Sequence, residues 1–304
     1  MLVLLYVWNV VAATPVKETF TYAVKNGVDL RMDKYAMPGK AAGGQPCVIF
    51  MFGGSFRGGT RDSKTYLDYF NDLAGHGYTV VSIDYRLGLK DVKPQSMAET
   101  VPALKRAIDW AVEDLYDATT FALKHAGEWN INPAQIIISG SSAGAIAVLQ
   151  AEYERCNSGP LAANLPRGFR YAGVVGFAGA ILAFSNTLQW EKMPAPTILF
   201  HGDADDTVPF AKLKLENIMF CGSQEIKEQL DRRGASYALL QFAGNKHEVS
   251  SNPLKYNLPE VRRLIEIMVL KSMPVNIHAL LGKPGVKSPD QPLSIEDFIK
   301  TNFK

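Results

Sequence analysis

The chain has almost no net charge. Its 304 residues carry 32 Lys and Arg against 30 Asp and Glu, a formal balance of +2. That excludes the dense positive field with which proteins grip nucleic acid or an anionic membrane surface. Basic and aromatic residues do not interleave as they do in a nucleic-acid groove. Cysteine is scarce too. Cys47, Cys156 and Cys221 lie far apart, with no CxxC pair and no Cys/His cluster at zinc-ligand spacing. Three thiols close one bridge at most, so a disulfide scaffold is excluded, and the three read as small buried hydrophobes. Neither GxxxxGK(S/T) nor GxGxxG occurs, which removes the common phosphate loops. There is no repeat, no low-complexity tract, and no Pro/Gly/Ser-rich linker long enough to divide the chain into separate domains. No cofactor or metal is called for.

What is present is the material of a core: 47% hydrophobic residues and 10% aromatics with 20% charged. This is the profile of a packed globular protein. Residues 1–13, MLVLLYVWNVVAA, are apolar apart from Asn9. They are too few to span a bilayer, which takes about 20 residues as a helix. They match the apolar part of a secretory signal, with Val11-Ala12-Ala13 as small residues for cleavage, although a basic segment ahead of it is missing. The alternative is a buried first strand. Reading 1–13 as a leader leaves residues 14–304 as a single domain and puts the protein outside the cell or in a periplasm. Without the leader, a cytoplasmic location follows.

Thr19 to Val24 and Val28 to Tyr35 alternate around Asn26-Gly27, the strongest short signal for a hairpin. The period then changes. Cys47 to Phe52 is a continuous apolar run, as expected of a strand buried on both faces. Similar runs recur at Thr79 to Ile83, Gln135 to Ser139, Tyr171 to Phe177, Thr197 to Phe200 and Tyr237 to Phe242. Helical stretches are expected at Ser63 to Gly75, Pro102 to Ala126, Gly144 to Arg155, Phe210 to Arg233 and Pro259 to Lys271. Strands alternating with helices predict a mostly parallel central sheet with helices on both faces. The N-terminal hairpin should be antiparallel at one edge. Met273 to Gln291, punctuated by Pro and Gly, is expected to wrap the surface. Ser294 with Asp297 resembles a capping box for a last short helix ending near Phe303.

The chemistry concentrates in Ile138-Ser139-Gly140-Ser141-Ser142-Ala143-Gly144. Here Gly140-x-Ser142-x-Gly144 follows an apolar strand and precedes a helix rich in small residues, the setting that a nucleophile on a sharp strand-to-helix turn requires. Ser141 lacks a glycine two positions before it, where Ser139 stands, so Ser142 is the candidate nucleophile. Such a serine needs a base, and the base needs a group to orient it. Of the histidines after Ser142, His247 follows the run Ala238 to Ala243 and so falls at the carboxyl end of the sheet, where such sites form. His201 ends a strand and His278 lies in the C-terminal wrap. With His76 and His125 they read as structural or surface residues. The acid should lie in His201-Gly202-Asp203-Ala204-Asp205-Asp206, where residue type alone does not choose among three aspartates. An oxyanion hole would take the amide of Ala143 and amides of the Gly-rich Phe52 to Gly59 loop.

Together these stretches resemble an α/β-hydrolase of the esterase/lipase, carboxylesterase-like group. Phe52-Gly53-Gly54-Ser55-Phe56 is similar to that family's HGGG-plus-aromatic oxyanion loop, with Phe52 where the histidine usually stands and Ser55 where the third glycine does. Asp84-Tyr85-Arg86-Leu87 resembles its DYRL, and Asn132-Pro133 its lead-in to the elbow strand. Gly244-x-x-His247 resembles its histidine loop. His201-Gly202-x-x-Asp205-x-x-Val208-Pro209 resembles its HGxxDxxVP acid loop, which selects Asp205. The resemblance implies an α/β-hydrolase fold with a Ser142, His247, Asp205 triad and an oxyanion hole from Gly54, Ser55 and Ala143. About twenty residues separate Ala151 from Tyr171, and about as many Phe177 from Pro196, so the cap should be minimal and the pocket open. The function so read is hydrolysis of short-chain or carbohydrate-linked carboxylic esters through an acyl-enzyme. The expected partner is a small-molecule or polysaccharide-linked ester, with no nucleic acid and no stable membrane span. The competing readings are a serine peptidase of the prolyl-oligopeptidase type, whose usual N-terminal propeller has no room here, and a non-catalytic binding protein on the same fold.

Overall fold

A computed structural model describes residues 14–39, 43–94, 96–184, 187–215 and 218–302. The leader read at residues 1–13 lies outside the described residues. The chain starts with β1 (Val16–Lys25) and β2 (Val28–Ala36), joined at Asn26 and Gly27, whose φ angles are 53° and 77°. Two positive φ angles in a two-residue turn give the twist that matches the flanking strands. Then come β3 (Gln45–Met51), α1 (Leu67–Gly75), β4 (Thr79–Ile83), α2 (Met97–Lys124), β5 (Ile131–Ser141) and α3 (Ala143–Cys156). The second half holds β6 (Gly173–Phe177), β7 (Ile181–Ala183), β8 (Thr197–Gly202), β9 (Lys212–Leu215), β10 (Ile218–Cys221), α4 (Ser223–Arg233) and β11 (Tyr237–Phe242). It ends with α5 (Pro253–Tyr256), α6 (Leu258–Leu264), β12 (Asn276–Leu281) and α7 (Ile295–Asn302).

Nine strands form one sheet in the order β1-β2-β4-β3-β5-β6-β8-β11-β12. The first two pairings are antiparallel and every later one is parallel. The central strands are buried on both faces: Cys47 to Met51 have no exposed surface, and Val80, Val81, Val174, Val175, Ile198 and Leu199 are equally covered. Each such side chain contributes about 1.5–3 kcal/mol through burial, and that is why these strands read as unbroken apolar runs. Phe50 sits among Tyr66, Tyr69 and Phe70 with ring centroids 4.8, 5.8 and 5.1 Å away. All three cysteines are free and buried, as their scarcity suggested.

Four expectations need correction. Phe210 to Arg233 is not one helix. Its first segment is the hairpin β9–β10, which joins β7 in a small antiparallel sheet, and only Ser223–Arg233 is helical. The alternation Lys212-Leu213-Lys214-Leu215 is a two-residue period, and Leu213 turns inward to 5% exposure. The C-terminal wrap is likewise partly ordered into the sheet. Asn276–Leu281 pairs in parallel with β11 as an edge strand, outside the pattern of continuous apolar runs because one side faces solvent. α2 begins earlier than its periodicity indicates. Ser96 caps it by accepting from the Glu99 amide, and Pro102 falls in its second turn. The helix expected at Pro259 to Lys271 runs to Leu270, but beyond α6 it widens to a π-helical turn at Ile265–Leu270. Among the described residues, no helix is long and apolar enough to cross a membrane.

Candidate active site

The carboxyl ends of β3, β5, β8 and β11 converge, and the loops that follow them carry every residue singled out by the sequence. Ser142 links β5 to α3 with φ 51° and ψ −117°, a strained conformation for a residue with a side chain. Its amide donates to the Phe177 carbonyl at 2.8 Å, and its carbonyl accepts from the Ile146 amide at 2.9 Å, so both sides of the turn are pinned. The glycines on either side answer to close packing. A Cβ on Gly140 would lie 2.3 Å from the Gly144 carbonyl oxygen, and one on Gly144 2.1 Å from that of Met51. Two residues without bulk therefore let the strand reverse into the helix against β3.

The Ser142 hydroxyl is 2.8 Å from His247 Nε2, and His247 Nδ1 is 2.8 Å from Asp205 Oδ2. His247 opens a short 3₁₀ turn after β11, and Asp205 lies in the loop after β8. The other Asp205 oxygen accepts from the Thr207 and Val208 amides, each at 2.9 Å. Burial would raise this carboxyl, but hydrogen bonds from His201 and His247 outweigh it and hold the group well below the ordinary carboxylate range. The neighbouring aspartates do other work. Asp203 accepts from Gln241, from the Gly244 amide and from Ser288, and Asp206 pairs with Lys246 at 2.7 Å. Of the three, the structure brings Asp205 to His247.

His201, read as structural, is fully buried beneath the acid. Its Nε2 is 3.4 Å from Asp205 Oδ2 and 3.1 Å from the Val208 carbonyl, while Nδ1 is 2.7 Å from the Ser223 hydroxyl. Asp205 therefore faces two imidazoles, a contact that spacing along the chain did not reveal. His76, His125 and His278 stay away from the site: Nδ1 of His76 is 2.7 Å from the Asp72 carbonyl, His125 stacks between Phe121 and Trp129, and His278 sits on the edge strand against Gln241.

The Gly-rich loop after β3 is held by tyrosines. Phe52 stacks on Tyr85 at 4.5 Å, and the Tyr85 hydroxyl donates to the Phe52 carbonyl at 2.8 Å. Gly54, Ser55 and Phe56 follow with φ angles of 137°, 54° and 57°. A Cβ on Gly54 would fall 2.1 Å from the Gly58 carbonyl oxygen, so the loop cannot close around a larger residue. The Gly53 amide donates to the Tyr66 hydroxyl at 3.0 Å, Tyr66 donates to Ser141 at 3.5 Å, and Ser141 donates to the Ser250 carbonyl at 2.8 Å. One run of hydrogen bonds thus joins the Gly-rich loop, the elbow and the histidine turn. It also commits the hydroxyl of Ser141, the rejected nucleophile. Tyr66 and Tyr85 were not singled out in the sequence. The only signal for Tyr85 was its place in the DYRL stretch.

A cavity of about 300 Å³ opens over Ser142. Ser55, Ser142 and Ala143 line its floor, and Leu104 and Ile146 line one side. The segments between α3 and β6 and between β6 and β8 are short, as expected. The cover comes instead from β10 and α7, through Phe220 and Phe298.

The family model BD-FAE matches residues 32–181, a span that holds the Gly-rich loop and the elbow. Esterase 2 of Thermogutta terrifontis, solved phosphoramylated by tabun, superposes with a TM-score of 0.61 at 20% identity, over 82% of this chain and 93% of that one. The chain has the α/β-hydrolase fold. The native form of the same thermophilic esterase gives a TM-score of 0.59 at 20% identity, over 86% and 94% of the two chains. Esterases of the fungus Rhizomucor miehei give 0.57 at 17% identity, over 87% of each. No curated protein matches the chain in sequence. The sheet order, the N-terminal hairpin and the parallel remainder agree with the fold expected from the motifs.

Proposed function

We propose that the protein is a serine carboxylic-ester hydrolase acting on esters of short acyl groups with small alcohols or carbohydrate hydroxyls. The observation that carries this reading is the unbroken chain from the strained Ser142 through His247 to the buried Asp205, each link 2.8 Å long. His247 Nε2 takes the proton as the Ser142 oxygen attacks the ester carbonyl. Asp205 fixes the imidazole with its proton on Nδ1 and stabilises the imidazolium that forms. The oxyanion is received by the amides of Gly54, Ser55 and Ala143, at the positive end of α3. Protonated His247 then gives its proton to the leaving alcohol. Water, deprotonated by the same His247, releases the acid and restores the hydroxyl. The fold's likeness to esterases supports the choice of ester over peptide, and structures of the Thermogutta enzyme with propionate and with butyrate bound support a short acyl group.

Ser142→Ala, folded by circular dichroism, is expected to lose nearly all hydrolysis of p-nitrophenyl acetate and to resist labelling by a fluorophosphonate. Undiminished hydrolysis overturns the reading. Activity on peptide amides exceeding that on esters would favour the peptidase instead. We further propose that residues 1–13 are a leader removed on export. N-terminal sequencing of the protein from its native host checks this: a mature chain starting at Met1 contradicts it.

A further inference from the structure

Helix α7 stands outside the hydrogen-bonded chain at Ser142, yet it closes one wall of the cavity above it. Phe298 is buried to 3% exposure, and its ring lies 5.2 Å from that of Phe220 on β10. Thr301 stands one helical turn on, at the three-residue spacing that shares a face, and lines the same cavity. The helix is moored to the acid loop at its last residue, and the segment that leads into it is moored there too. Asn302 donates to the Asp206 carbonyl at 3.4 Å, and upstream Ser288 donates to Asp203 at 2.5 Å. At its start, Ser294 accepts from the Asp297 amide at 3.1 Å. Leu104 of α2 and Ile146 of α3 add further apolar lining. Arg57 is the one charged side chain lining the cavity among the described residues, and its Nη1 is engaged by the Leu89 and Val92 carbonyls at 2.8 and 2.7 Å.

We propose that α7 sets the size of the ester the protein accepts. Phe298 and Thr301 end the space available to one substituent of the ester, so the site takes short, uncharged groups. The inference rests on the ester-hydrolase reading above and adds to it a specificity element from the C-terminal segment. An apolar end wall acts by volume. A longer chain must displace a ring that is packed against Phe220, whereas a short one leaves the packing undisturbed.

The test compares the full chain with Phe298→Ala and Thr301→Trp in two series: p-nitrophenyl esters from acetate to decanoate, and alkyl acetates from methyl to octyl. Phe298→Ala should raise the ratio of kcat/KM for long over short members by about 10-fold or more in at least one series, the scale of one or two methylenes in a pocket. Thr301→Trp, at an exposed position that tolerates a larger side chain, should move the same ratio the other way. If Thr301→Trp keeps the unmodified profile in both series, the proposal is overturned, whatever Phe298→Ala does to folding. Failure of the ester-hydrolase reading would look different: hydrolysis would persist in Ser142→Ala.

Discussion

The floor and the roof of the cavity are built by different means. The floor is the sheet's carboxyl edge, where Gly140, Gly144 and Gly54 pack so tightly that a single added carbon has no room. Hydrogen bonds of 2.8 to 3.5 Å tie its four loops together there. The roof is a two-stranded hairpin and an eight-residue helix that meet through a pair of phenylalanine rings, the helix being moored as well to the acid loop. The floor fixes distances and directions between reacting groups, which bond-making needs. The roof fixes only a volume, which selectivity needs. Changes below should therefore lower turnover of every ester alike, and changes above should re-rank esters.

The largest effect should come from Asp205→Asn. Loss of the orienting carboxylate in a serine triad costs about 10⁴-fold in kcat, and here the loss should be equal for acetate and butyrate esters in steady-state kinetics. A ratio that changes with acyl length would break the distinction between floor and roof. Gly144→Ala comes next. With the new carbon 2.1 Å from the Met51 carbonyl oxygen, the β5–α3 turn must move, and a loss of about 3 kcal/mol, the upper range for overpacking, is expected in urea unfolding. Tyr66→Phe is milder. It removes the hydroxyl that accepts from the Gly53 amide and should lower kcat about 10-fold, with a stability cost of about 1 kcal/mol. An unchanged kcat would mean that the Gly-rich loop needs no such brace.

Acid gives a smaller and signed effect. The Asp205 carboxyl is held below its unfolded value. Its contribution to stability is therefore present above the ordinary aspartate pKa of about 3.9 and is lost as pH falls from there through the folded value. The difference in melting temperature between the unmodified chain and Asp205→Asn should shrink from pH 7 to pH 3; a constant gap contradicts this. The smallest expected effect is none. Burial pushes the thiols of Cys47, Cys156 and Cys221 up to about 12, so iodoacetamide at pH 7.5 should neither modify the folded protein nor slow it, as mass spectrometry and an activity assay can show.

The floor was legible in the sequence and the roof was not. Gly140-x-Ser142-x-Gly144 announces itself because the turn tolerates few residue types, and the strand before and helix after it are strongly patterned. Asp205 was picked from its neighbours only by the resemblance, since all three aspartates satisfy a loop equally well on paper. Geometry separates them by giving Asp203 to Gln241 and Ser288 and Asp206 to Lys246. Phe220 and Phe298 carry no motif. They meet across a long stretch of chain in contacts that any apolar pair could make, and a two-residue period hidden inside an apparent helix concealed the hairpin that brings them together. Tyr66 is equally silent, because its hydroxyl matters only once the Gly-rich loop and the elbow are side by side.

That hydroxyl also bears on how the protein comes into being. Tyr66 to Ser141 spans 75 positions along the chain, Ser142 to His247 spans 105, and Ser141 to Ser250 spans 109. Contacts so distant in sequence close late, because each requires the entropy of a long loop to be surrendered first. A refolding chain should therefore regain helical signal well before it regains turnover, and a ribosome-bound chain that has emerged only as far as α4 would carry Ser142 without His247. The enzyme is silent until its last strands arrive.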